Sequence, residues 1–431
     1  MQIIYKVWRW RTIKQLGNLT FAIILLLLIA AVSVLGTIIE QDHSIDYYQT
    51  NYPIHSGNIL DVNWVVIKGL HIDQLYTSWP YLALLVLFGA SLIVCTFSTQ
   101  LPSLRNARRW KLKKSLSLSK PLYKQNTVKA LSTTSNIYCL SKLSYHVFYQ
   151  NNFIYSYKGL IGKVAPVFVH VSIILLLFGS MTSLFFSFLI QEMVPVKETF
   201  NFQNVVHAGY LSSIPSQIIG RVNSFHIEYY QDKSVKQFYS SLSLVDYTDN
   251  NNVKQGISVN NPLYFKGLTI YQTDWQINGL KVLINNKESL QIPMIKIKKG
   301  NNTYWFSNIT YNNQVRYSFV LQALDGSIFC YNGQGQLIRK LDVKQNNIID
   351  YLPIQVLEII TSTGLQIKKD PGIPILYSSF AMLIISTFIS YISYSQIWIS
   401  VEANQLLMTG ITNRGQIKLE EDIFKLQKFL K

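Results

Sequence analysis

Residues 164–190 read VAPVFVHVSIILLLFGSMTSLFFSFLI: 27 positions with no Asp, Glu, Lys or Arg and a single imidazole, His170. A helix rises ~1.5 Å per residue and a hydrocarbon core is about 30 Å thick, so roughly 20 such residues cross it. Residues 19–39, 79–97 and 374–398 pass the same test and also lack formal charge. Four crossings bring both termini to one side. The expected fold class is therefore an α+β membrane protein, with four transmembrane helices and a large β-rich domain between spans three and four.

Charge outside these windows sets the expected orientation, because Lys and Arg stay on the side of insertion. Residues 1–18 carry four basic and no acidic groups, 40–78 one and five, 98–163 twelve and none, 191–373 seventeen and thirteen, and 399–431 five and four. The N-terminus, the basic 98–163 loop and the tail are read as inner; the 40–78 loop and the 191–373 domain are read as outer. The net charge of +17 is thus a topology signal. Nucleic-acid binding is set aside, since the cluster Arg105, Arg108, Arg109, Lys111, Lys113 and Lys114 abuts a span and has no recognition motif around it. That cluster either fixes topology alone or also attracts anionic membrane lipid. Lys6, Arg9, Arg11 and Lys14 imitate the start of a signal peptide, but the first apolar run exceeds the usual 7–15 residues, so a retained anchor is expected.

Between the third and fourth windows, the runs Phe225–Tyr230, Gln237–Tyr247, Leu268–Thr273, Leu280–Asn285, Gln291–Ile297 and Tyr317–Leu321 are rich in β-formers. Asn260–Asn261–Pro262, Lys266–Gly267, Asp325–Gly326 and Asn332–Gly333 punctuate them, as expected of an antiparallel sheet or sandwich. In the tail, Leu419, Ile423, Leu426 and Leu430 form one face of a helix. That face is expected to pack on the inner loop, lie on the membrane or meet a partner helix. Tyr76, Trp79 and Tyr81, and Trp398 at the other end of the bundle, are read as interfacial belt residues.

His170 is the one side chain in the four windows that titrates near neutrality, and ionisable residues within spans are functional-site candidates by default. A neutral imidazole there is suited to ligating heme iron or to passing protons; the plainer role is a hydrogen bond to a Ser or Thr of a neighbouring span. His43, His55, His71, His146, His207 and His226 have no metal-ligand spacing, and no nucleotide-binding, metalloprotease or serine-hydrolase motif occurs. The three cysteines, at 95, 139 and 330, include no Cys-x-x-Cys, so the chain is not itself a c-type cytochrome.

Several segments resemble the ResB-like, or Ccs-type, membrane protein of System II cytochrome c assembly. They are LLLLIAAVSVLGTIIEQ at 25–41, Trp79 with LIVCT at 92–96, His170, VNNPL at 259–263, GLTIYQTDW at 267–275, GLQIKKDPGIP at 364–374, SQIW at 395–398 and TNR at 412–414. The resemblance implies a noncatalytic subunit of a heme-lyase (synthetase) complex. Such a subunit works with a CcsA-type heme-handling partner to bring reduced heme across the membrane to apocytochromes c. It implies that His170 is a heme axial ligand, and that the membrane is the thylakoid of a plastid or cyanobacterium, with the large domain lumenal. A bacterial cytoplasmic membrane is the alternative location. A His-dependent transporter and a structural scaffold for another complex are the alternative functions. The GLTIYQTDW block either lines a docking platform or is a core strand.

Overall fold

The computed structural model describes residues 11–54, 63–108, 133–151, 153–231, 234–249, 251–284, 288–299, 302–311, 314–322, 324, 327–349, 352–402 and 405–430. Lys6, Arg9, His55, the basic residues 109–114 and the Asp325–Gly326 turn lie outside them. The chain divides into two compact units, residues 1–181 with 373–431, and residues 182–372.

Among the described residues four helices are long and apolar enough to cross a membrane: α1 (Leu19–Ile38), α2 (Trp79–Cys95, continuing as helix to Arg108), α4 (Leu160–Phe186) and α5 (Ile373–Ser390). Two shorter ones, α3 (Thr133–Lys142) and α6 (Gln416–Leu430), belong to the same unit. Asn18 opens α1 by accepting a bond from the Thr20 amide, 3.0 Å. Leu25 of α1 and Phe88 and Leu92 of α2 are buried against Ile173, Ile174 and Leu177 of α4. Gly36 lets the Tyr76 ring close on α1, since a Cβ there would lie 2.8 Å from it, and the Tyr76 hydroxyl donates to the Ser33 carbonyl, 3.1 Å. Gln41 holds the 40–78 segment to the end of α1. Its amide donates to the carbonyls of Ile39 (2.7 Å) and Ile72 (3.0 Å), and its oxygen accepts from the Leu75 amide, 3.0 Å. The Gly36 and Gln41 of the quoted LLLLIAAVSVLGTIIEQ run are thus packing and latching residues.

Residues 133–158, from the loop before α4, and the tail after α5 form one small domain. Strands β1 (His146–Gln150) and β2 (Phe153–Lys158) pair antiparallel with β19 (Ser395–Glu402) and β20 (Gln405–Thr412) in the order β1-β2-β19-β20. Leu419, Ile423 and Leu426 of α6 pack with Leu140 of α3 and with Ile154, Ile397 and Ile399 of the sheet, so the amphipathic tail covers the 133–158 part of the loop between spans two and three. The Leu430 side chain lies outside the described set. One expectation is corrected: α5 stops at Ser390, and Trp398 is a core residue of β19, 4% exposed with its ring 5.6 Å from Tyr155. An aromatic at the end of an apolar run looks like a belt residue, but the run here changes from helix to strand. Trp79, by contrast, is 79% exposed at the start of α2.

Residues 182–372 form the β-rich unit. Its spine is two long antiparallel strands, β10 (Leu268–Ile284) and β18 (Leu352–Lys369), paired from Thr269↔Lys368 to Ile284↔Ile354. One half of this ribbon continues through β3 (Phe188–Pro195) to β5 (Val205–Ala208) and packs against the sheet of β6 (Ile218–Tyr229), β7 (Val235–Asp246) and β8 (Asn251–Ser258). The other half packs Leu280, Val282, Ile354 and Val356 against the five-stranded sheet of residues 295–341. The expected runs 268–273 and 280–285 are therefore one strand, bulged at Gln272/Asp274 and Ile277/Gly279. Lys266 and Gly267, both at positive φ, make the tight turn into β10.

Candidate functional site

His170 lies nearly three turns into α4, half-buried, with its Nδ1 3.1 Å from the Thr96 hydroxyl oxygen. Thr96 follows α2 where the α-helix gives way to a π-type turn, Thr96–Gln100, a local irregularity frequent at functional sites. Its hydroxyl donates to the Leu92 carbonyl at 2.7 Å. A hydroxyl has one proton, so what Thr96 offers the imidazole is a lone pair. The hydrogen-bond arithmetic thus assigns the proton of the neutral ring to Nδ1 and leaves the Nε2 lone pair for a ligand. Metal-binding histidines are oriented in this way by a partner on the other ring nitrogen.

The geometry delivers the plainer reading of His170, a hydrogen bond to a threonine of a neighbouring span, and is compatible with a ligand on the second nitrogen. Sequence did not single out Thr96. Its signal is present only as the last residue of LIVCT, in which Leu92 supplies the carbonyl and Thr96 the hydroxyl. Cys95, next to it, is buried and outside any disulfide, as are Cys139 and Cys330.

A second polar cluster lies on the open face of the β3–β10–β18 sheet. Register puts Lys368 beside Leu189, Leu189 beside His207, and Gln366 beside Tyr271. With Ser187 and Asp370 these residues line a cavity of about 460 Å³. Asp370 accepts from the Ser183 hydroxyl (2.6 Å) and the Gly372 amide (3.1 Å), and Lys368 stands 3.5 Å from it. The two sequence blocks GLTIYQTDW and GLQIKKDPGIP meet here. Alternation explains how: Leu268 and Ile270 are core, while Thr269 and Tyr271 face outward. The block is a core strand on one face and a presented surface on the other.

Beneath that surface Gln272 is buried and its amide donates to the Ser240 (2.8 Å) and Thr363 (3.1 Å) hydroxyls. Gly364 sits where a Cβ would lie 2.9 Å from that of Asp274, so the two blocks approach closely because one residue has no side chain. At the far edge of the same unit the Lys266 ammonium contacts Asp246 and Asp249, each at 2.6 Å. It holds the Asp246 carboxyl down at about 2, helped by Thr248, and lowers Asp249 as well.

The sequence profile of the ResB-like family matches residues 19–328 and 288–424. The cytochrome c biogenesis protein Ccs1 of Porphyra purpurea is 45% identical over 419 residues, 97% of this chain and 96% of that protein. Ccs1 of Thalassiosira pseudonana is 39% identical over 417 residues, 96% and 99% of the two chains. The cytochrome c biogenesis protein CcsB of the cyanobacterium Microcystis aeruginosa is 38% identical over 429 residues, 98% and 96%.

Proposed function

The chain belongs to the ResB-like family, and from that membership we propose that it serves the assembly of c-type cytochromes as the membrane subunit that holds heme at His170. Heme is cargo in this reading, and the chain supplies an axial ligand from α4. The observation that carries it is the Thr96 contact, which leaves Nε2 of His170 as the nitrogen with a free lone pair. A second ligand comes from a CcsA-type membrane partner, so the macrocycle is shared between two proteins and can be passed on. Apocytochromes c receive it on the outer side, which is the thylakoid lumen of a plastid or cyanobacterium. The charge asymmetry of the loops supports this orientation, and the algal and cyanobacterial sources of the relatives support the compartment.

The β-rich unit then faces the apocytochrome side, with the Tyr271–Lys368–His207 surface available to a polypeptide. The test is to purify the chain with its membrane partner and record heme absorption for wild type and His170→Ala. The variant is expected to lose heme or change its ligation spectrum. Equal heme content with an unchanged spectrum overturns the assignment.

A further inference from the structure

Two cavities of the helical unit lie at the same end of α4 and α5. One is a groove of about 440 Å³ between the first turns of α4 and the last turns of α5, walled by Val164, Ala165, Phe168, Met382, Ile385 and Ile389. Its only hydroxyl, on Ser386, is already bonded to the Leu383 carbonyl at 3.1 Å, so the groove offers a ligand nothing polar. The other is a pocket of about 420 Å³ directly beyond the end of α5, lined among others by Phe388, Tyr391, Lys158, Arg414, Lys418 and Asp422. Phe388 borders the polar pocket and Ile389, the next residue, borders the apolar groove. The two spaces are neighbours at the same end of the helix pair, a basic mouth beyond α5 and an apolar groove along it, and are read together as one slot.

Charge in the mouth is not balanced. Lys158 is held internally, 3.6 Å from Asp422 and donating to the Leu143 carbonyl at 2.8 Å. Among the described residues Arg414 and Lys418 have no carboxylate in ion-pair range; Arg414 donates to the Ser390 carbonyl at 3.3 Å, which fixes it at the end of α5. Phe388 and Tyr391 beside them are 73% and 72% exposed, although they flank the end of an apolar helix of membrane-spanning length. Exposed aromatics next to exposed cations at a span's end are what a lipid headgroup region accommodates. An apolar groove in such a region is suited to a hydrocarbon chain, whose methylenes make dispersion contacts with both of its walls.

We propose that this slot is a specific site for an anionic phospholipid, its phosphate held by Arg414 and Lys418 and one acyl chain lying in the α4–α5 groove. The site is independent of heme and uses neither His170 nor Thr96. It ties the small inner domain, which contributes Arg414 and Lys418, to the bilayer surface. It also makes the ordering of α5 against α4 sensitive to lipid composition. Gly159 and Gly162, where a Cβ would collide with the carbonyls of Ser393 and Ile392, keep the chain that forms the mouth in close contact with the start of α4.

The test is native mass spectrometry of the full chain in detergent, titrated with phosphatidylglycerol or phosphatidylcholine of identical acyl composition. Wild type should retain one phosphatidylglycerol with at least a tenfold preference. Arg414→Gln/Lys418→Gln should remove that preference, and Ile385→Trp, which fills the groove from an exposed position, should weaken binding at least fivefold with the basic pair intact. Glycerol phosphate in excess should fail to displace the lipid. Equal retention of both lipids by wild type, or an unchanged preference in the double variant, overturns the proposal. Full displacement by glycerol phosphate overturns it in favour of a simple anion site. Should the double variant unfold, Lys418→Gln alone must still lower the preference.

Discussion

Replacing Thr96 by valine tests the tautomer on which the heme reading rests. The two side chains have nearly the same volume, so packing between α2 and α4 is retained while the hydroxyl is removed. What is lost is the contact at 3.1 Å to Nδ1, the group that keeps the proton on that nitrogen. A neutral hydrogen bond contributes about 1 kcal/mol net, which is roughly fivefold in an equilibrium constant. The Leu92 carbonyl, released from the Thr96 hydroxyl, also interacts with the His170 ring and can accept in its place, which holds the effect near that lower figure. Losing orientation of a ligating imidazole altogether costs about 10–100-fold in affinity and sets the upper bound. Thr96→Val is therefore expected to weaken heme retention by about five- to tenfold, with Thr96→Ser restoring it. The assay is heme titration of the chain with its partner, monitored by absorption. Affinity of Thr96→Val within twofold of wild type, alongside loss of heme in His170→Ala, would refute the orienting role while leaving the ligand in place.

Gly364→Ala forces a Cβ against Asp274 in the central β10–β18 pair, and overpacking of this kind costs about 1–3 kcal/mol; hydrogen exchange in β10 and β18 should accelerate, with the helices unaffected. The Lys266–Asp246–Asp249 cluster predicts an acid dependence of the β-rich unit. Its carboxyls titrate lower folded than unfolded, so their stabilisation is present above pH about 4 and is lost as pH falls through about 2 for Asp246. Lys266→Met should flatten the fall in stability between pH 4 and 2, measured by hydrogen exchange of β7 and β10. An unchanged slope would assign the acid sensitivity elsewhere.

What sequence disclosed and what it hid divide along the range of the interactions involved. The four apolar helices were legible because the absence of charge over about 20 residues is a local property, and His170 stood out against that background. Within the β-rich unit six runs were legible by alternation, but two of them proved to be one bulged strand. The run 291–297 straddles the end of one strand and the start of the next, and β3, β8 and the spine strand β18 were not marked. At Asn278–Gly279 the pattern breaks, yet the Asn278 amide bonds to the Ser362 hydroxyl at 2.5 Å and Gly279 admits the Ile292 carbonyl, so β10 runs on. The four-stranded sheet of the helical unit was hidden because its halves, residues 146–158 and 395–412, are separated in sequence by the whole β-rich unit and are each too short to announce a partner. Trp398 was misread for that reason: its environment is Tyr155, more than 240 positions away, and not the helix it follows. Thr96 was hidden differently. A threonine near the end of an apolar run has no distinguishing pattern, and only pairing α2 with α4 gives it an imidazole to orient. The same pairing limits how sequence should be searched for such sites. A lone histidine in an apolar span marks the candidate ligand, whereas a residue that would fix its protonation must be sought among hydroxyls whose own proton is already donated within their helix.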